Sequence, residues 1–441
     1  MSDNGGRRLS FIVSYVIFII ANIGLALQTN YAALLILRMV QAVGCSASIA
    51  LSVAVVADIA TSAERGKYMG YATAGILFGP AFGPTIGGVL AQYLGWRSIF
   101  WFLAIYGGVL LMIFAFFFPE TCRNVVGNGS LPAKGINQSV LSYLQHRNLA
   151  RHSETENGGP TPIASKRKFR LPNPLTTLRI LGEKESCIVL LYNGLFFTGM
   201  MVTTSAVPDL FKTAYGLNEL KIGLCYISMG TGSLISALTM GHLVDWNFRR
   251  HATRLNIVIN KGKQQDLRKI PIEKVRLEVV VPGHIIGTLG LIAFGWTIKF
   301  QTHIAGPEAA LFFIGFGIST AFNITNTLLI DLHRDQPATA TAAVNFVRCL
   351  MSAGGTAAII PMCRAMNPGW AFTFIALVYV VLIAVVFWIM RDGMKWREET
   401  ELIRAEKSSK KSKEQATNDV EAEATLQGAE MQTKTASPER R

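Results

Sequence analysis

Apolar runs of about 20 residues recur along most of this chain, and they limit its fold more than any other feature. Each can cross roughly 30 Å of hydrocarbon. The runs are continuous and do not alternate, which argues against barrel strands. Inside a bilayer every backbone N–H and C=O must find a partner within the protein, so such runs become helices. Ten spans are expected: Leu9–Leu27, Tyr31–Ala60, Lys67–Tyr93, Ile99–Phe118, Glu185–Phe211, Ile222–Val244, Val279–Phe300, Glu308–Leu332, Ala338–Met362 and Trp370–Met390. Half of the 441 residues are apolar and 16% are charged, too little charge to cover a soluble domain. The fold class is therefore an all-α polytopic membrane protein.

The formal charge of +14 is uneven. Lys and Arg crowd into the connector between Phe118 and Glu185, the connector between Val244 and Val279, and the tail after Arg391. Positive loops stay cytoplasmic, so both termini and both long connectors are expected inside, in agreement with an even span count. This distribution argues for orientation in a lipid bilayer rather than for nucleic-acid binding. The first long connector is rich in Ser, Asn, Gly and Pro, carries the cluster KRKFR at Lys166–Arg170, and reads as a linker between two bundles. The expected organisation is a bundle of four spans at 1–118, a cytoplasmic linker at 119–184, a six-span bundle at 185–395, and a disordered or weakly helical tail at 396–441. The six cysteines form no CxxC pair and read as reduced thiols, with no metal site. No phosphate-binding loop of the form G-x-x-x-x-G-K-[ST] occurs. Neither enzymatic chemistry nor a cofactor is expected.

The two halves repeat. The Asp–Arg–Arg pattern of SDNGGRR at Ser2–Arg8 returns in LVDWNFRR at Leu243–Arg250. GWRSIFWFLAIY at Gly95–Tyr106 returns as GWAFTFIALVYV at Gly369–Val380, and Asp58 maps on Asp331. Such a parallel repeat is related by an axis along the membrane normal. In the second half two spans precede the Asp–Arg–Arg motif; in the first half the motif opens the chain. Two helices of the first bundle are therefore expected to be missing from these residues.

GILFGPAFGPTIGGVL at Gly75–Leu90 puts five glycines and two prolines inside a span. Gly75, Gly79, Gly83 and Gly87 recur every fourth residue on one helical face, with Pro80, Pro84 and Gly88 beside them. Small residues let two backbones approach closely in lipid, and proline bends a helix whose neighbours can bond the freed carbonyl. A hinge or seal between two half-bundles is expected there; a static packing face is the alternative.

These motifs resemble the twelve-spanner drug:proton antiporters of the major facilitator superfamily, and most nearly the fungal branch of quinidine-resistance and dityrosine transporters. DNGGRR at Asp3–Arg8 looks like the end of the family's cytoplasmic loop motif. LRMVQAVGCS at Leu37–Ser46 looks like its R-x-x-Q-x-x-G signature, the glycine–proline stretch like its antiporter motif, and PETCRNVVGNGS at Pro119–Ser130 is typical of the fungal branch. The resemblance covers nearly all of residues 1–395. It implies two pseudo-symmetric bundles and export of drugs or small metabolites by alternating access, driven by proton entry. It also implies a multi-pass protein of the plasma membrane, acting as a monomer.

Candidate site residues follow. An arginine within a span costs several kcal/mol and should face a cavity or a partner. Arg38 and Arg348 are the two; the resemblance suggests proton or substrate handling for Arg38, and substrate binding or gating is expected of Arg348. Structural bonds to backbone carbonyls are the alternative for both. Asp3, Arg7 and Arg8 should lie near Asp58 and Arg65, and Asp245, Arg249 and Arg250 near Asp331, as a cytoplasmic gate that closes in one state and opens in the other. Asn193, Phe197, Met201, Tyr226, Asn326 and Asn345 are candidates for a substrate cavity, although aromatic and Met residues at helical spacing more often pack. No Asp or Glu lies deep in a span. The resemblance implies that many relatives carry the proton-coupling carboxylate in the first two helices. A dedicated exporter of a polyamine, an organic acid or dityrosine is the runner-up reading. A truncated membrane protein that transports nothing is a third.

Overall fold

The computed structural model describes residues 6–59, 79, 82–122, 180–254, 271–333 and 337–435. All regular structure among them is helical. The elements are α1 (Arg7–Leu27), α2 (Tyr31–Ile59), α3 (82–94), α4 (Arg97–Phe117), α5 (Lys184–Tyr215), α6 (Glu219–Arg254), α7 (Ile272–Lys299), α8 (Ala305–Leu332) and α9 (Pro337–Thr435). Seven helices among the described residues are long and apolar enough to cross a membrane, and Tyr31–Ser46 is a shorter apolar helix. Asp3, Arg65, Gly75, Pro80 and the KRKFR cluster lie outside the described residues, as do the side chains of Asp58 and Asp245.

One of the seven, Thr339–Thr400, has 62 residues, far more than one bilayer crossing needs. Asn367 resolves the excess: its φ of 65° and ψ of 153° break α9 in two. The following Pro368 bars a helical conformation there, and asparagine tolerates positive φ better than most residues. The chain reverses at this point. Before the break α9 runs alongside α5, with Val347 and Met351 at Gly194, Gly355 at Thr198, and Arg364 at Asp209. After it the chain returns past Phe196, which accepts a bond from Tyr379, to Lys184, whose ammonium sits over the Trp396 ring. The ninth and tenth expected spans are these two arms.

The helices exceed the expected spans at their polar ends. Hydropathy stops the sixth span at Val244, whereas α6 continues to Arg254; LVDWNFRRHATR contains neither Gly nor Pro to end it. The tail, expected as disordered or weakly helical, continues α9 to Thr435: its residues are mostly good helix formers, with a single glycine, Gly428, and no proline before Thr435.

In α1–α4, α1 packs on both α2 and α4, around a small core of Leu25, Ala26 and Phe100. The helices α5–α9 share one large core. Lipid chains are as apolar as leucine, so burial alone does not hold such helices together; close packing and polar contacts do. Gly287 and Gly317 bring α7 and α8 backbone to backbone. His284 of α7, 1% exposed, joins three helices. Its Nε2 lies 2.8 Å from the Tyr379 carbonyl oxygen, which can only accept, so Nε2 carries the proton. Its Nδ1 therefore accepts from the Tyr192 hydroxyl at 2.9 Å. Both ring nitrogens of the neutral imidazole are satisfied.

Candidate functional site

The two helix sets meet at a seam between α3 and α6. A Cβ added to Gly88 would lie 2.6 Å from the Glu219 carbonyl oxygen and 3.2 Å from Gly223 Cα. One added to Gly223 would lie 2.8 Å from the Pro84 carbonyl oxygen and 3.4 Å from Gly88 Cα. Thr85 Oγ1 donates to the Gly223 carbonyl oxygen at 2.9 Å. The expected glycine stripe is not the contact: a Cβ on Gly79, Gly83 or Gly87 meets nothing within 4 Å among the described residues. Glycines every fourth residue drift by about 40° per step in a helix of 3.6 residues per turn. The stripe therefore wraps away, and the approach falls on Pro84, Thr85 and Gly88.

The R-x-x-Q-x-x-G signature holds α2 against α1. Gln41 Nε2 donates to Asn22 Oδ1 at 2.7 Å, and the Asn22 amide donates to the Phe18 carbonyl at 2.8 Å. A Cβ on Gly44 would lie 2.8 Å from the Phe18 backbone nitrogen. Arg38 donates to Gln41 Oε1 at 3.0 Å and lies 4.9 Å from the Phe100 ring centroid. Its side chain is exposed in the fold, and among the described residues its cation is anchored to this polar pair.

At the start of α1 the side chains expected beside Arg7 and Arg8 lie outside the described residues, and the acid seen there is Glu120. Glu120, in PETCRN, accepts from the Arg7 backbone N–H at 2.7 Å and from that of Arg8 at 3.3 Å. A carboxylate at a helix N-terminus satisfies free donors and opposes the helix dipole. Gly6, with φ of 105°, supplies the turn into the helix. The Arg8 guanidinium donates to the Ala115 carbonyl at 2.6 Å. In the second set Asp331 pairs with Arg276 at 3.0 Å, not with Arg249 or Arg250. Those two are exposed, and Arg250 stacks on Trp246. Along α6, Asn247 and His251 are the residues turned toward α7, both reaching Glu278; Arg249 and Arg250 fall on the other side of the helix. Glu120 and Arg276 were missed by the sequence reading. The acid just past a span end in PETCRN is the signal that could have found Glu120.

One expected cavity residue, Phe197, meets Arg348 directly, and two more, Asn193 and Asn326, lie one helical turn from the rings that hold it. Arg348 Cζ lies 4.3 Å from the Phe197 ring centroid and 5.5 Å from that of Phe322, and the two rings are 5.4 Å apart. Asn193, one turn before Phe197 on α5, donates from Nδ2 to the Phe322 carbonyl at 3.1 Å and to Thr325 Oγ1 at 2.6 Å. Asn326 lies one turn beyond Phe322 on α8. Three buried polar atoms here have no partner among the described residues: Arg348 Nε, Asn193 Oδ1 and Asn326 Oδ1. Asn345 is half-buried one turn before Arg348. Tyr226 does not join the group; it is a core residue whose hydroxyl donates to the Thr204 carbonyl at 2.6 Å. Met201 is half-buried on α5, with no contact to this cluster assigned. Phe322 and Thr325 escaped sequence reading because nothing in their spacing separates them from ordinary packing residues.

Residues 1–356 match the Major Facilitator Superfamily. The chain belongs to the Major Facilitator Superfamily. The MFS-type transporter phiD of Fungal sp. (strain ATCC 74256) is 40% identical over 398 residues, covering 90% of this chain and 60% of that protein. The chain thus spans less than two thirds of that relative's length. Citrate exporter 1 of Aspergillus niger is 34% identical over 411 residues, covering 91% of this chain and 76% of the relative. In fold the chain resembles the partially occluded, inward-open xylose transporter XylE from E. coli, with a TM-score of 0.59 at 16% identity, covering 88% and 81% of the two chains. The all-α polytopic membrane fold expected from the apolar runs is that of this superfamily.

Proposed function

We propose that this chain exports drugs or small metabolites across a membrane by alternating access, with proton entry as the driving force. The reading places it with the drug:proton antiporters. The observation that carries it is Arg348: a cation inside the bundle, stacked on two aromatic rings, with an asparagine whose oxygen lacks a donor among the described residues one helical turn from each ring. In this reading cargo binds at Arg348, Asn193 and Asn326 from the cytosol. The two helix sets then rock about the seam at Thr85, Gly88 and Gly223, and cargo leaves outward. Glu120 and the Arg276–Asp331 pair brace the cytoplasmic ends. Arg38, anchored through Gln41, handles the proton. Both termini are cytoplasmic, the membrane is the plasma membrane, and the working unit is a monomer.

A dedicated organic-acid exporter is the second reading, favoured by the similarity to a protein named as a citrate exporter. Efflux of a labelled panel of drugs and metabolites, from vesicles holding the purified chain with an imposed pH gradient, tests the proposal. Gradient-driven efflux of at least one member that loses its gradient dependence in Arg38→Ala supports it. No efflux of any member at any gradient overturns it.

A further inference from the structure

We propose that the ligand of the Arg348 site is a hydroxylated carboxylate: an organic anion carrying a hydroxyl group close to its carboxyl group. The inference deepens the exporter reading and rests on it.

Asn193 sets the first requirement. It is 2% exposed, and its Nδ2 donates to a backbone carbonyl, which can only accept. The amide cannot be turned round without facing oxygen to oxygen, so Oδ1 is the atom left over. Thr325 Oγ1 donates to the Ala321 carbonyl at 2.6 Å, and so receives the bond from Asn193 rather than giving one. Asn193 Oδ1 is therefore a buried acceptor in want of a donor, and Asn326 Oδ1 is likewise buried and without a partner among the described residues. A buried polar atom left unpaired is costly. The ligand must bring at least one O–H or N–H to this wall.

Arg348 sets the second. Aromatic rings attract a guanidinium through its charge but accept none of its in-plane N–H groups, and the Cys349 side chain bonded to this one is a weak acceptor that brings no formal charge. Nε is buried and unpartnered, and no Asp or Glu pairs with Arg348 among the described residues. A cation in the membrane interior calls for a counter-charge, and the planar fork matches a carboxylate. Water would satisfy the asparagines and bring no charge. A neutral drug leaves the cation unpaired, and a polyamine is repelled. A simple dicarboxylate pairs with the cation but presents only acceptors to Asn193 and Asn326. A hydroxy acid meets both demands at once.

Binding is measured on the purified chain in lipid nanodiscs, without any gradient, using radiolabelled citrate as the probe. Competitors are tricarballylate (citrate without its hydroxyl), trimethyl citrate, spermine and inorganic phosphate. Citrate is expected to compete at least roughly tenfold better than tricarballylate, because a site built to bond a hydroxyl rejects an analogue lacking it. Arg348→Gln should weaken every carboxylate, with partial recovery in Arg348→Lys. Asn326→Ala should bring citrate and tricarballylate level while retaining carboxylate binding, and thermal melting of each variant checks folding. The proposal fails if tricarballylate equals citrate, if phosphate, spermine or the ester competes better, or if citrate does not bind. Efflux of a neutral or cationic panel member that is unchanged in Arg348→Gln would refute the ligand class and leave export standing. Absence of all efflux would refute export itself.

Discussion

Gly88 and Gly223 meet backbone to backbone across the seam between the two helix sets, and neither position has room for a methyl group. Overpacking a tight contact typically costs about 1–3 kcal/mol. Gly88→Leu and Gly223→Leu should each abolish efflux while leaving membrane insertion intact. Gly83→Ala and Gly87→Ala, on the open side of the same helix, should retain at least about half of it, given surface-like tolerance. Equal loss in all four variants would remove the special status of the seam.

Thr85 makes a side-chain bond across that seam, to the Gly223 carbonyl oxygen. Thr85→Val keeps the shape and deletes one hydrogen bond, worth about 0.5–1.5 kcal/mol. If the bond survives in only one of two conformations, its loss shifts their ratio by a factor of roughly 2–13. Cross-linking of cysteine pairs placed on either side of the seam reads that shift; an unchanged ratio would make the bond common to both states.

Glu120 ties the end of α4 to the first turn of α1 through two backbone N–H groups. Glu120→Ala strands both donors and should cost about 1–3 kcal/mol, seen as a lower melting temperature. Arg7→Ala leaves these backbone bonds in place and should cost less. A reversed order would show that side-chain charge, not the capped backbone, holds this corner.

Arg276 and Asp331 are both about four-fifths buried, at 18% and 19% side-chain exposure. A double-mutant cycle with Arg276→Gln and Asp331→Asn should return a coupling of about 0.5–3 kcal/mol. The same cycle with Arg250 in place of Arg276 should return close to zero, since Arg250 is exposed over Trp246.

His284 presents both ring nitrogens to partners inside the fold. His284→Phe keeps the ring volume and strands the Tyr192 hydroxyl, a loss of about 1–3 kcal/mol, while the Tyr379 carbonyl keeps its helical bond. Thermal melting of the solubilised chain checks this. Retained stability would mean that water takes over the Tyr192 bond.

Apolar length was legible in the sequence because a bilayer imposes it: a run of about 20 apolar residues has no stable form there except a helix. The motif arginines and glycines could also be found without coordinates, since such residues are costly inside lipid. Which of them meet could not be. Glu120 reaches Arg7 across 113 residues of chain, and Asn193 reaches Thr325 across 132. Those pairings depend on how helices are rotated about their own axes, and hydropathy is nearly blind to rotation when a helix is apolar on every face. The sequence alone therefore determined the helical, membrane-spanning character of the apolar runs and the presence of an arginine in two of them. Only packing decided that Gly88 rather than Gly87 faces α6, and that Arg348 is held by aromatic rings with no acid beside it among the described residues, because those choices are made by contacts a few ångströms wide between helices distant in the chain.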